Sequence, residues 1–451
     1  MPDLSYGTLV ASVGIAAVYY FFARRRFDFL TVSLIGAAFY FSPLLLRTVE
    51  VTLVTDPTIP APVNWIAAGY LLALVAAGLI AAGLPAPQRS KLLLPSAAAP
   101  CLALAVVGLI GAIATTRGAI VNADKIVVLK QVGYSYVLFE IAASLACIAS
   151  VVERRWTILA GACAMLAIDL LLGFRNYAVL TAISTAFVLL ASQPAMRLIV
   201  KGPTFGIACV LLVAAMLALH TARFAIFDAI AVERNAPRVT RAAEMRGDTL
   251  QFMRAASMAG TPTSAASAAE APTSLPRWFL VPLQLFEHSE PFTIQATLVE
   301  TVHRAYSCSP GNILKSLTLI PGAGHLLPSY PMTFYDEFQP ALFPTVDYGL
   351  GGNIWAEMLC RFGYAGVVAF GLAMLICLVG MQRLFLAAPP TLSAPIAFSG
   401  VIIAFYIYRN DLHYTLVMIR QTLGVFAIAL VIAWLHTIWQ SKPILATRNP
   451  E

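Results

Sequence analysis

Stretches of about 20 apolar residues, the length that crosses a bilayer as a helix, recur along this chain from its first residues. They cover residues 6–22, 29–46, 65–84, 94–115, 134–152, 157–172, 177–192 and 205–225, and then 363–385, 395–408 and 413–439. The fold they predict is an all-α polytopic membrane protein with about eleven transmembrane helices. Only 11% of the 451 residues are charged and 59% are hydrophobic, whereas a soluble chain carries roughly a quarter charged residues. The segments divide the chain into N-terminal membrane helices over 1–222, one large loop domain over 223–362, and C-terminal membrane helices over 363–451.

The net charge of +7 would suggest nucleic acid in a soluble protein. Here the cations sit in loops where the positive-inside rule puts them, and no nucleic-acid partner is expected. Arg24, Arg25 and Arg26 follow the first apolar segment, which has no small-residue cleavage site and reads as a span, not a signal peptide. With that triplet in the cytoplasm, alternation puts Arg89, Lys91, Arg154, Arg155, Arg197, Lys201, Arg383, Lys442 and Arg448 on the same side. The N-terminus and the large loop are then outside and the C-terminus inside.

The loop is uneven. Its first part, 223–254, interleaves six arginines with acids, as an amphipathic or a solvated helix would. Residues 258–274 have almost no bulky side chains and read as a flexible linker. From 275 to 366 aromatics, prolines, glycines and ionisable groups are denser than anywhere else in the chain. Ser289, Glu290 and Pro291 open a helix to about Tyr306, with Ser289 as cap and Phe292, Gln295, Leu298, Val299 and Val302 as its packing face. Prolines and glycines over 308–352 predict an extended, shaped loop. Cys308 and Cys360 can form a disulfide in an oxidising compartment. The cysteines lack metal-ligand spacing, and Asp336 with Glu337 has no partner acids close in sequence, so no metal or other cofactor is expected.

Charges inside apolar segments cost on the order of 3 kcal/mol or more. Glu140 and Asp169 lie within the fifth and sixth segments, Arg175 follows the sixth, and Arg409, His413 and Arg420 share one face if a single helix carries them. Arg175, Arg223, Arg409 and Arg420 all point toward the outer side. Guanidinium groups converging there suit an anionic phosphate; the alternatives are pairing with nearby acids or snorkelling to lipid headgroups.

Several runs resemble the bacterial O-antigen and oligosaccharide repeat-unit polymerases of the Wzy type. They are RWFL (277–280), EPFTIQATLVETV (290–302), GNILKSLTLIPG (311–322), GLGGNIWAEMLCRFGYAG (349–366) and YRNDL (408–412). The resemblance implies a GT-C-like glycosyltransferase of the bacterial inner membrane with its active site in a large periplasmic loop domain. Its donor would be a growing glycan on undecaprenyl pyrophosphate, and its acceptor the non-reducing end of a lipid-linked repeat unit. A chain-length regulator is a possible further partner. Arg175, Arg223, Arg277, Arg304 and Arg409 are the expected pyrophosphate clamp, and Glu290, His303 and Glu357 the candidate bases. Each base has a competing role: helix capping for Glu290, pairing with Arg361 for Glu357, a plain surface position for His303. Trp278, Tyr335 or Trp355 could stack on sugar rings. Two other readings stay open, an O-antigen ligase using the same donor and a flippase for lipid-linked oligosaccharides.

Overall fold

The computed structural model describes residues 3–24, 27–50, 53–116, 133–172, 174–191, 290–320, 331–344, 346 and 350–441. Every regular element among them is helical. The helices are α1 (Asp3–Val18, continued by a π-helical turn Tyr19–Ala23), α2 (Phe29–Tyr40), α3 (Ser42–Leu46), α4 (Ala61–Gly83), α5 (Ala98–Thr116), α6 (Tyr134–Glu153), α7 (Trp156–Leu171) and α8 (Asn176–Ala191). After them come α9 (Glu290–His303), a 3-10 helix (Pro310–Leu319), α10 (Phe334–Leu342), α11 (Ile354–Ala387), α12 (Pro390–Val401, extended by irregular turns to Arg409) and α13 (Leu412–Ser441).

Seven of these stretches are long and apolar enough to cross a membrane: Leu4–Ala23, Ala61–Gly83, Ala98–Thr116, Tyr134–Glu153, Ile354–Ala387, Pro390–Arg409 and Leu412–Gln440. The chain is a multi-pass helical membrane protein. Three more expected spans are shorter apolar helices, Phe29–Tyr40, Trp156–Leu171 and Asn176–Ala191. The first is short because the 29–46 segment breaks at Phe41, before the proline in the first turn of α3. The span expected at 205–225 lies outside the described residues, as do the linker and the arginine-rich stretch.

The stretches that carry Arg24, Arg89 and Arg383 meet at one end of the bundle, while Arg197, Lys201, Lys442 and Arg448 lie outside the described residues. Arg383 donates to the Pro85 carbonyl oxygen at 3.2 Å, the Ser90 amide to the Ala387 carbonyl oxygen at 2.7 Å, and the Phe29 amide to Gln382 Oε1 at 3.3 Å. Arg24 pairs with Asp28 at 2.6 Å, while the Asp28 carboxylate also caps α2.

At the opposite end two expectations need correcting. The helix that returns the chain to the membrane starts ahead of the apolar segment at 363–385: α11 begins at Ile354, because Asn353 caps it by accepting from the Trp355 and Ala356 amides. Gly363 (φ 63°) breaks the helix inside, in backbone space that favours glycine. Thirty-four residues of helix would reach about 50 Å, well beyond a hydrocarbon core of about 30 Å, so the turns before Gly363 stand proud of it. The other correction concerns α9, which was expected to bury one face. Phe292, Gln295, Leu298 and Val299 are buried as expected, but so are Ile294, Ala296, Thr297, Glu300 and Thr301. The helix packs against α2, α3, α4, α10 and α11 together.

Cys308 and Cys360 form a disulfide, which ties the segment after α9 to the first turns of α11. Arg361 sits beside it with its side chain 1% exposed. Its Nε donates to Glu357 at 3.1 Å, and its Nη1 donates to the Ser309 carbonyl oxygen at 2.5 Å and lies 3.4 Å from Glu337. Burial pushes the Glu337 carboxyl above the usual carboxylate range, with the Arg361 charge opposing that shift. Disulfide and arginine together fasten the 3-10 helix and α10 onto α11.

Candidate functional site

The site forms where three runs of the sequence that are far apart in the chain touch. Gly351 and Gly352 precede α11 and lie directly on the junction between α12 and α13. A Cβ on Gly352 would stand 2.8 Å from the Asp411 amide nitrogen and 3.2 Å from the Asn410 carbonyl carbon. A Cβ on Gly351 would stand 2.3 Å from Ile294 Cδ1 and 3.1 Å from the Arg409 carbonyl oxygen. Asn353, fully buried, caps α11 with its Oδ1 and donates from Nδ2 to the Ile294 carbonyl oxygen at 3.1 Å. Thus α9, the GGN turn and the YRND junction share one contact.

That junction is not a continuous helix, which corrects the expectation that Arg409, His413 and Arg420 share one helical face. Asn410 is extended (φ −117°, ψ 165°), and α13 starts afresh at Leu412. Asp411 starts it by accepting from the Tyr414 amide at 2.6 Å, and Glu357 Oε2 accepts from the Leu412 amide at 2.8 Å. Burial raises the Asp411 carboxyl above its ordinary range, opposed by that amide. His413 and Arg420 instead lie on α13, which packs on the 3-10 helix; Arg420 donates to the Leu319 carbonyl oxygen at 3.2 Å.

Arg409 is fixed from several sides. Below it the Tyr408 hydroxyl hydrogen-bonds with Ser33 Oγ at 2.8 Å and Tyr70 at 2.9 Å, and the Tyr408 ring stacks on Tyr40. The Arg409 Nε donates to Glu290 Oε1 at 2.7 Å, and its Nη1 donates to Asn176 Oδ1 at 2.7 Å and to the Tyr406 hydroxyl. The Tyr40 hydroxyl donates to the same Glu290 oxygen at 3.3 Å. Those contacts occupy Nε and Nη1 and leave Nη2 without an acceptor among the described residues. The side chains of Arg409 and Glu290 are 23% and 40% exposed, so the open edge of the guanidinium is accessible to a ligand.

The remaining expected residues separate into three groups. Arg175 adjoins Asn176, is exposed and makes no ion pair with a described residue, so it lies one residue from the Arg409 cluster. His303 and Arg304 are at the far end of α9, about 20 Å from Glu290 at 1.5 Å per residue. There His303 Nε2 donates to the Thr58 carbonyl oxygen at 2.8 Å, and Arg304 pairs with a fully buried Glu300 that also accepts from Thr55. Glu357 is buried with both oxygens engaged, by Arg361 and by the Leu412 amide. Arg223, Arg277 and Trp278 lie outside the described residues. Trp355 is 1% exposed and packs on Tyr70, so it is a core residue and not a sugar platform. Tyr335 stays half-buried on α10.

Tyr40, Asn176 and Tyr406 were missed. A tyrosine inside an apolar segment, as Tyr40 is, or near its end, as Tyr406 is, looks like any membrane aromatic; Asn176, next to Arg175 between two apolar segments, is the better signal. Among the described residues no group of three or more His, Cys, Asp or Glu could hold a metal ion. Asp336 instead forms a capping box with Thr333 at the start of α10. A cleft of about 240 Å³ between α4 and α11, lined by Trp65, Tyr70, Trp355 and Tyr364 among apolar residues, contains no charged group.

No protein-family model, curated protein or solved structure matches the chain.

The glycine contact gives a local test. Gly352→Ala must push the Asp411 backbone away, since the atom it meets is not the tip of a flexible side chain. Gly351→Ala meets the movable end of Ile294 first. Gly352→Ala is therefore expected to lower the melting temperature of detergent-purified protein by several degrees, and Gly351→Ala by clearly less; a 1 kcal/mol loss is worth about 2–4 °C in a soluble domain of 150–250 residues.

Proposed function

We propose that this protein is a membrane glycosyltransferase that polymerises lipid-linked oligosaccharide repeat units on the outer face of the bacterial inner membrane. The observation that carries the reading is the convergence of EPFTIQ and GGN on the YRND junction, where Glu290 touches the Arg409 guanidinium and Gly351 its backbone, and where Nη2 has no acceptor among the described residues. Three of the five runs that carry the likeness to Wzy-type polymerases, the GGN run the most specific of them, thus lie next to one another, which supports the reading.

In this reading the donor glycan is carried on a polyprenyl pyrophosphate whose head lies against Arg409, with Arg175 beside it. The acceptor hydroxyl attacks the anomeric carbon of the donor and the pyrophosphate leaves. Negative charge grows on the leaving oxygen as the glycosidic bond breaks, so a fixed guanidinium stabilises the transition state more than the ground state. Asn176 and Tyr406 hold that guanidinium from the side away from Glu290, so little reorganisation is needed during the reaction. The disulfide and Arg361 keep the outer segment, and with it the GGN turn, docked on the α12–α13 junction.

The test is deletion of the gene followed by complementation, with lipopolysaccharide resolved on a gel. A polymerase leaves core capped by a single unit in the deletion, and the wild-type gene restores the ladder. Bare core in the deletion would favour transfer of finished glycan to core or movement of the lipid-linked unit across the membrane. An unchanged ladder would sink the reading.

A further inference from the structure

In the sequence Arg409 and Glu290 are separate candidates, an anion clamp and a proton acceptor. In the folded chain each occupies the other. Glu290 Oε1 lies 2.7 Å from Arg409 Nε and also accepts from Tyr40. The acid is the first residue of α9, where the helix end adds its own attraction for a negative charge. Arg409 is held from its other side by neutral groups, Asn176 Oδ1 and the Tyr406 hydroxyl. Glu290 is thus the one anion bound to Arg409 among the described residues, and the Nη2 edge alone remains open beside it.

A phosphate or pyrophosphate ester arriving at that edge would stand within a few ångströms of the Glu290 carboxylate. Like charges so placed repel, the more so where little water separates them. The ester carries more charge and more acceptor oxygens than a carboxylate and matches the guanidinium fork. Glu290 is also the partner best able to leave, because its side chain is 40% exposed, while the Arg409 backbone is locked by Gly351 and Tyr408.

We infer that Glu290 is an exchangeable carboxylate: it holds Arg409 in the empty site, is displaced when a phosphate ester binds, and on release accepts the proton of the attacking hydroxyl. The second half rests on the glycosyl-transfer reading. In that step the acceptor oxygen bonds to the anomeric carbon, its proton passes to a Glu290 oxygen, and the bond from the anomeric carbon to the phosphate oxygen breaks. The electron pair of that bond stays on the pyrophosphate held by Arg409. No oxidant or further reactant is needed. Loading the clamp and freeing the base become one event, so the base is released only when a donor is in place.

The experiment measures binding of inorganic pyrophosphate by calorimetry to the full chain in nanodiscs, alongside the lipopolysaccharide ladder of complemented deletion cells. Glu290→Gln is expected to bind pyrophosphate about tenfold tighter, since it removes the competing charge and keeps the shape, and to give no ladder. Tyr40→Phe, which only loosens Glu290, should tighten binding by a smaller factor, and Arg409→Ala should abolish it. Tighter binding with lost turnover is a combination that a purely structural role cannot produce, because misfolding weakens both. Binding by Glu290→Gln that is unchanged or weaker would overturn the exchange, and tighter binding with a normal ladder would overturn the proton transfer. If the gene deletion left the ladder intact while Glu290→Gln still bound pyrophosphate more tightly, the polymerase reading would fail and the exchange would stand.

Discussion

Replacing Arg361 with methionine is expected to cost the folded protein about 3–5 kcal/mol, the range seen when one partner of a buried ion pair is removed. The arginine has almost no contact with solvent, and it faces Glu357 and Glu337 while also donating to the Ser309 carbonyl oxygen. Methionine fills much of the same volume, so the loss is mainly electrostatic: two carboxylates and a carbonyl keep their burial and lose their donor. The pH dependence has a definite sign. Burial already holds the Glu337 pKa above its unfolded value, and removal of the opposing cation raises it further. A carboxyl with a raised folded pKa favours the fold at low pH and loses that contribution as pH rises through the folded value. The deficit of Arg361→Met should therefore be smaller at pH 5 than at pH 8. Denaturant or thermal unfolding of detergent-purified protein at both pH values measures it. Adding Glu357→Gln should recover part of the loss, because an amide does not need a countercharge. A deficit below 1 kcal/mol at pH 8 would mean that water, not Arg361, satisfies these acids.

Much of the architecture was legible because the bilayer imposes a length and a composition on what crosses it. The segments at 65–84, 94–115, 134–152 and 413–439 correspond closely to α4, α5, α6 and α13. Two of the cationic stretches that the charge rule placed on one side, those of Arg89 and Arg383, do meet at one end of the bundle. The breaks were harder to read. Gly363 sits inside an apolar run, and hydropathy does not register a single positive φ. A period of 3.6 can be drawn through Arg409, His413 and Arg420 and hides the break at Asn410 and Asp411, although the apolar segments stop at 408 and resume at 413. Asn and Asp in succession are nevertheless the residues that stop one helix and cap the next, so a signal was present. The pairing of Cys308 with Cys360 was anticipated as chemistry and needed the fold for its geometry. The link from Arg409 to Glu290 had no local signature, because it joins the end of one helix to the start of another over more than a hundred residues. Nor did Glu357 announce its engagement with the Leu412 amide, although its i+4 relation to Arg361 did point to pairing.

Arg409→Ala is expected to slow the joining of repeat units by about 100-fold or more, the cost of deleting one preorganised donor to developing negative charge. Three neighbours would be left to rearrange. Glu290 would lose its cation, and Asn176 Oδ1 and the Tyr406 hydroxyl would lose a donor. Glu290 and Asn176 are at least partly exposed, so water can replace their lost bonds, while the buried Tyr406 hydroxyl loses one donor; the fold should survive with a stability loss of about 1–3 kcal/mol. Arg409→Lys keeps the charge but offers one compact ammonium on a flexible stem in place of a planar fork. It cannot reach Glu290, Asn176 and Tyr406 while presenting a free edge to the ligand, so it should recover only a minor part of the rate. Arg175→Ala, at an exposed arginine without an ion pair to a described residue, should act in the same direction and more weakly. The measurement is initial rate of unit joining in membranes with matched protein levels, supported by the ladder in complemented cells. A wild-type rate from Arg409→Ala would move the clamp away from the α12–α13 junction. The close approach of Gly351 and Gly352 to that junction would then be a packing requirement without a catalytic consequence.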